Sequence, residues 1–203
     1  MLKIGALIYP GFELLDLFGP MEMFGTMPEE FQLQLVAAEA GPVKSSGQLT
    51  AHADLALKDG HEFDVLFLPG GIGTRELIRD QEMLDWITKA GDAADHVLTV
   101  CTGSGIIAKA GLLDGHRATT NKMAFGWVEK MGPEVQWVKQ ARWVVDGKFR
   151  TSSGVSAGMD MALDFIADLH GREKAEEVAM WAEYEWHQDA ARDPFAKLHG
   201  LVE

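Results

Sequence analysis

A single cysteine, Cys101, stands in a chain of 203 residues. No disulfide can therefore form within the chain, and no Cys or His pair falls at zinc-ligand spacing. Basic residues are scarce as well: 18 Lys and Arg against 31 Asp and Glu give a formal charge of −13. A balance this acidic argues against a surface that binds nucleic acid by neutralising phosphates. No apolar run approaches the ~20 residues of a membrane-spanning helix, and Met1 leads straight into a strand-like segment with no basic, cleavable prefix. These absences predict no metal, no nucleic acid, no membrane and a cytoplasmic location.

With 47% hydrophobic and 24% charged residues, the composition is that of a globular protein, and the length suits one domain over 1–203 with a C-terminal tail from about 187 to 203. Short apolar runs alternate with segments of helical period, the pattern of βαβ units around an open, mostly parallel sheet sandwiched by helices. Strands are expected over 2–9, 31–38, 65–68 and 97–100, with a small hairpin or extended excursion within 42–57. A helix beginning near Phe12 should kink or end at Gly19-Pro20. Asp80 should cap a helix that stops at Gly91. Ala124, Trp127, Val128 and Met131 lie at helical spacing, as do Ala162, Phe165, Ile166 and Leu169, and Ala175, Val178 and Ala179 mark a last helix. Asp146-Gly147 should turn a hairpin between Trp143 and Phe149.

The chemistry concentrates where Val97-Leu98-Thr99-Val100 breaks at Cys101 into Thr102-Gly103-Ser104-Gly105. A strand, a nucleophile and a helix joined by small residues form an elbow that turns sharply and pushes the central side chain into the crevice. A thiol at a helix start also faces unpaired N–H groups that favour thiolate. A buried structural cysteine would fit the same position. Two other features would complete a site. The first is Pro69-Gly70-Gly71-Ile72-Gly73, directly after a buried strand, which can present backbone N–H groups to an anion or serve only as a tight turn. The second is Asp16, flanked by Leu14, Leu15, Leu17 and Phe18, which lies either on a solvated helix face or partly buried with a raised pKa, able to hold and pass a proton. Glu13 competes with it on the same turn.

Taken in order, the strand ending in Pro69-Gly70-Gly71, the Val100-Cys101-Thr102-Gly103-Ser104 elbow, Ala110-Gly111-Leu112-Leu113-Asp114-Gly115, Arg117-Ala118-Thr119-Thr120 and Ser153-Gly154-Val155-Ser156-Ala157-Gly158-Met159-Asp160 resemble the DJ-1/ThiJ/PfpI superfamily. Leu15-Asp16-Leu17-Phe18-Gly19-Pro20 with Cys101-Thr102-Gly103-Ser104 is most similar to its isocyanide hydratase branch. The resemblance implies a flavodoxin-like fold, a Cys101 nucleophile, and an Asp16 carboxylic acid that hydrogen-bonds the thiol and manages the proton. It also implies that Thr102 positions water or the intermediate, and that Gly70, Gly71 and Ile72 form the anion- or substrate-binding loop. The implied reaction is hydration of a small electrophile, an isocyanide, to an N-substituted formamide, with no cofactor and in a homodimer. A glyoxalase-like activity on 2-oxoaldehydes and a redox-sensing role for Cys101 use the same residues. A peptidase of this superfamily would place His where Thr102 stands, and an amidotransferase would need a base and its orienter where His170-Gly171-Arg172-Glu173 reads as surface. The chain departs from close relatives at Asn121-Lys122, where they carry His-Trp, and in its ending around Trp186-His187 and Asp193-Pro194-Phe195. Asn121 is expected to cap the helix that follows.

Overall fold

In the computed structural model, which describes residues 1–60 and 62–203, the elements run β1 (Leu2–Leu7), α1 (Leu14–Gly25), β2 (Phe31–Ala37), β3 (Gly41–Lys44), β4 (Thr50–Ala53), β5 (Leu55–Ala56), β6 (Val65–Leu68), α2 (Thr74–Leu77), α3 (Gln81–Ala93), β7 (His96–Val100), α4 (Gly103–Lys109), β8 (Arg117–Ala118), α5 (Phe125–Val128), β9 (Gln136–Trp137), β10 (Trp143–Asp146), β11 (Phe149–Ser152), α6 (Ala157–His170), α7 (Arg172–Trp181) and α8 (Pro194–Leu198). Among the described residues, seven strands form one sheet in the order β10-β11-β7-β6-β1-β2-β5. Within this sheet only the β10–β11 pair is antiparallel. The middle of the sheet is buried on both faces, so β6 reads Val-Leu-Phe-Leu without a polar residue and every one of its side chains is enclosed.

From β1 the chain first builds outward through β2 and β5, then returns to the other side of β1 and builds through β6, β7 and β11. The order reverses between β1 and β6, and loops leaving the carboxyl ends of these strands diverge to leave a crevice there. The loops that meet at this point are 8–13 after β1, 69–73 after β6 and the turn at Cys101 after β7. The open, mostly parallel architecture expected of the sequence is the one observed; the 42–57 excursion holds the β3–β4 hairpin, but its end, Leu55–Ala56, joins the main sheet as β5 beside β2.

Several local expectations are corrected. Helix α1 does not end at Pro20 but continues to Gly25. Gly19 and Pro20 are instead its contact with α6: a Cβ on Gly19 would lie 2.9 Å from Met159 Cγ, and one on Gly158 would lie 3.1 Å from the Pro20 ring. Close helix packing thus compensates for the donor that proline removes. Gly91 lies inside α3, which Asp80 caps at Met83 N (3.1 Å) as expected. The Ala124-to-Met131 stripe forms only the four-residue α5 followed by a 3-10 turn at Glu129–Met131. The turn of the β10–β11 hairpin is Gly147-Lys148, with Asp146 paired to Phe149 as the last strand residue. The C-terminal segment contains α8, capped by Asp193, whose carboxylate accepts the Phe195 N–H at 3.0 Å. No described helix is long and apolar enough to cross a membrane.

Candidate active site

Cys101 has φ +58, a left-handed conformation that a non-glycine residue holds only when its surroundings enforce it. Here the enforcement is visible. Its N–H donates to the carbonyls of Ser152 and Ser153 (3.2 and 3.0 Å). Its carbonyl accepts the hydroxyls of Ser104 (3.1 Å) and Thr120 (2.9 Å). Two residues on, a Cβ at Gly103 would lie 2.4 Å from the Leu68 carbonyl, so the tight exit into α4 requires glycine. The elbow is real, and it holds the thiol in a nearly enclosed position, 7% exposed.

Asp16, in the first turn of α1, is fully buried, whereas Leu15 and Phe18 beside it are 42% and 44% exposed. The helix is locally turned inside out, with its carboxyl toward the crevice and two large apolar side chains toward solvent. Asp16 Oδ2 accepts the Gly70 N–H at 2.9 Å, while Oδ1 has no hydrogen-bond partner among the described residues and the carboxyl is coupled to the neighbouring Cys101 thiol. Burial pushes the Asp16 pKa up to about 7; the Gly70 N–H opposes the rise, Glu13 adds to it and the thiol hydrogen bond opposes it. Such a carboxyl binds a proton near neutrality and can return it.

The thiol does not follow the expectation of a thiolate set by the helix start alone. Burial and the neighbouring Asp16 carboxylate push the Cys101 pKa well above the ordinary thiol range, against the opposing pull of the Thr102 and Val155 N–H groups. Two buried acids in contact titrate as a unit. The second proton of this pair is strongly retained, and the thiolate becomes accessible when Asp16 carries the shared proton. Val155 is the donor that the sequence reading missed. Half-buried, β-branched and at φ +24, it occupies backbone space that its residue type gives no reason to anticipate.

The 69–73 loop is placed beside the pair but is used differently from the expectation. The N–H groups of Gly70 and Gly71 do not stand free for an anion: Gly70 N holds Asp16, and Gly71 N donates to Thr102 Oγ1 at 3.1 Å. Thr74 Oγ1 bonds the Gly71 carbonyl (2.7 Å) and the Thr102 hydroxyl (3.3 Å). A Cβ on Gly70 would lie 2.6 Å from Thr102 N and 2.9 Å from Asp16 Oδ2, so the loop is a close-fitting brace. Ile72 sits at its outer end, 59% exposed. Glu13 does not replace Asp16; its carboxylate accepts the Ser46 hydroxyl at 2.7 Å. Among the described residues no group of acids, His and Cys could hold a metal.

Asn121 and Lys122 have separate tasks. Asn121 Oδ1 accepts the Ala124 N–H at 3.0 Å, capping the turn into α5. Lys122 is buried, its ammonium bonded to Thr119 Oγ1 (2.7 Å), the Thr120 carbonyl (3.2 Å) and the Ala141 carbonyl (2.6 Å), with Asp193 at 3.6 Å. The lysine that departs from the close relatives therefore ties the divergent C-terminal segment to Ala141 and to the Thr119-Thr120 segment, whose Thr120 hydroxyl bonds the Cys101 carbonyl. Between them lies a cavity of about 370 Å³ lined in part by Asn121, Ser153, Val155, Phe195 and Leu198. It adjoins the elbow through the 153–155 segment that bonds Cys101.

Comparison with known proteins gives a consistent picture. The pattern of the DJ-1/PfpI family matches residues 2–168. The chain is 37% identical over 183 residues to an isonitrile hydratase from Pseudomonas putida, covering 90% of this chain and 78% of the relative. It is 31% identical to a deglycase from Thermococcus kodakarensis, over 74% of this chain and 89% of that one. The crystal structure of a ThiJ/PfpI family protein from Pseudomonas syringae superposes with a TM-score of 0.84 at 33% identity, covering 91% of this chain and 75% of that chain.

Proposed function

The chain belongs to the DJ-1/PfpI family, and from that premise we propose that it is a cofactor-independent enzyme hydrating isocyanides to N-substituted formamides. One observation carries the reading: a buried carboxyl able to hold a proton near neutrality lies against the chain's single thiol.

The chemistry follows from one shared proton. With the proton on Asp16, the Cys101 thiolate attacks the terminal carbon of R–N≡C and Asp16 delivers its proton to that carbon, giving a thioimidate R–N=CH–S–Cys101 and an Asp16 carboxylate. Water then adds to the thioimidate carbon, its proton passing through Asp16 to nitrogen. The new hydroxyl loses its proton to Asp16 as the C–S bond breaks, which releases R–NH–CHO and restores thiolate and acid. The Thr102 and Val155 N–H groups steady the sulfur while it is anionic. Thr102 Oγ1, held by Gly71 and Thr74, orients the water. The cavity walled by Phe195 and Leu198 receives the apolar group R. Leu15 and Phe18, exposed on one face of α1, would be covered in the homodimer that the family resemblance implies.

Formamide production from an aryl isocyanide by the wild type and by Cys101→Ala tests the reading. We expect turnover by the wild type and none above background in the variant. Equal rates would overturn it. Similarity to the deglycase supports a second reading, action on 2-oxoaldehydes, and methylglyoxal consumption without formamide would move the assignment there. Oxidation sensing is weaker, because it calls for an exposed thiolate of low pKa and Cys101 is enclosed, with its pKa raised.

A further inference from the structure

Tyr9 follows β1 and is almost completely buried. Its hydroxyl donates to the Pro69 carbonyl at 2.7 Å. The N–H of that same peptide group, Gly70 N, donates to Asp16 Oδ2 at 2.9 Å. Hydroxyl, peptide and carboxyl thus form one chain, O–H to O=C–N–H to carboxylate, in which each bond polarises the next. We propose that Tyr9 is a positioning residue that, through the Pro69–Gly70 peptide, orients and strengthens the donor holding Asp16 and so sets how the Asp16–Cys101 pair shares its proton.

The geometry leaves the relay little freedom. Gly70 is pressed against Thr102 N and Asp16 Oδ2, the Pro69 carbonyl and Gly70 N–H are both engaged, and the next peptide is pinned where the Gly70 carbonyl accepts the Glu13 N–H at 2.8 Å. The peptide plane cannot turn to find another acceptor while these contacts hold. The titratable groups acting on Asp16 come from each element around it: Glu13 from the start of α1, Cys101 from the elbow after β7, and Tyr9 from the end of β1. Burial, then the negative charges of Asp16 and Cys101, keep the phenol neutral, so Tyr9 remains a donor at every pH at which the pair works. Polarised by the phenol, the Gly70 N–H favours the ionised carboxylate; without the phenol the proton stays on Asp16 to higher pH.

This inference rests on Asp16 and Cys101 acting as one proton-sharing pair, and its test does not require turnover. The Asp16 carboxyl is titrated by carbon NMR in full-length wild type and Tyr9→Phe, and the pH dependence of Cys101 alkylation by iodoacetamide is measured in both. Phe keeps the ring in place and removes only the donor. The Asp16 midpoint is expected to rise by roughly half a pH unit, and the acid limb of alkylation to move with it. A fluorinated tyrosine at position 9, a stronger donor of nearly the same shape, moves both midpoints the opposite way. In an Asp16→Asn background, Tyr9→Phe leaves the alkylation profile where Asp16→Asn alone puts it. Unchanged midpoints in Tyr9→Phe, or a shift that persists undiminished with Asn at position 16, would overturn the proposal. A wild type that makes no formamide but shows these shifts would remove the isocyanide reading and leave the relay standing.

Discussion

Asp16 and Asp160 are both fully buried carboxyls on helices that abut the carboxyl end of the sheet, yet they are provided for in opposite ways. Asp160 Oδ2 receives the Arg142 guanidinium through Nε (2.6 Å) and a terminal nitrogen (2.5 Å), and Oδ1 receives the Tyr184 hydroxyl (3.0 Å) and the His187 N–H (2.9 Å). Asp16 has one backbone donor, no cation, and a thiol on its other side. Burial raises the proton affinity of both, but only Asp160 has a cation to counter it. Burial alone therefore does not mark a reactive carboxyl; incomplete pairing does. Asp160 is a bolt that fixes Tyr184, Trp186 and His187 to α6. Asp16 keeps its proton exchangeable because a single backbone donor and no cation face it.

The comparison breaks most sharply at the reactive pair. Asp16→Asn removes the exchangeable proton while keeping the shape, and we expect formamide turnover to fall by about 10²–10⁴-fold with no loss of stability at neutral pH. Near-wild-type kcat would show that Asp16 does not carry the proton. At the anchor the expectation is reversed. Asp160→Ala strands a buried guanidinium and should cost about 3–5 kcal/mol of stability in urea unfolding, while activity per folded molecule changes little. A loss below 1 kcal/mol would mean that the network around Arg142 is not holding the tail. Lys122→Met should cost less, about 2–3 kcal/mol, because the methionine fills the site but leaves Asp193 without its ion-pair partner. Limited proteolysis should then cut first beyond Ala190, since α8 is tied to the core through that contact.

Much of this architecture was legible because it depends on short-range rules. The uninterrupted apolar strand at 65–68, the Asp80 cap and the small residues after Cys101 each state their geometry locally. The helix through Pro20 was misread because its tolerance comes from Gly158 across the interface, a contact with no local signature. The burial of Asp16 could not be decided from periodicity, since Leu15 and Phe18 point outward against their type. That inversion is itself a signal, but it is visible only when the fold shows which face is inside. The Val155 donor and the use of Gly70 and Gly71 as braces depend on loops brought together from three strands. The Lys122 to Asp193 contact joins two departures from the relatives that look unrelated in the sequence.

The gentlest test of the comparison concerns stability. The Asp16 pKa lies near 7 in the folded protein and near 3.8 when the chain is unfolded. Between those values the folded state binds more protons than the unfolded one, so this residue's contribution is fully present below pH 3.8 and is lost as pH rises through 7. An asparagine at this position does not titrate. Asp16→Asn should therefore gain stability relative to wild type as pH is raised from 4 to 8, by an amount on the order of 2–4 kcal/mol at most, reduced by whatever the amide loses beside the thiol. Asp160→Asn, measured over the same range, should be destabilised throughout, because the charge it removes is one the fold has paired. The raised pKa of Asp160 gives its variant the same direction of change with pH, so the sign of the stability difference decides: if Asp160→Asn were as stable as wild type at pH 8, the distinction between a paired anchor and an unpaired proton carrier would fail.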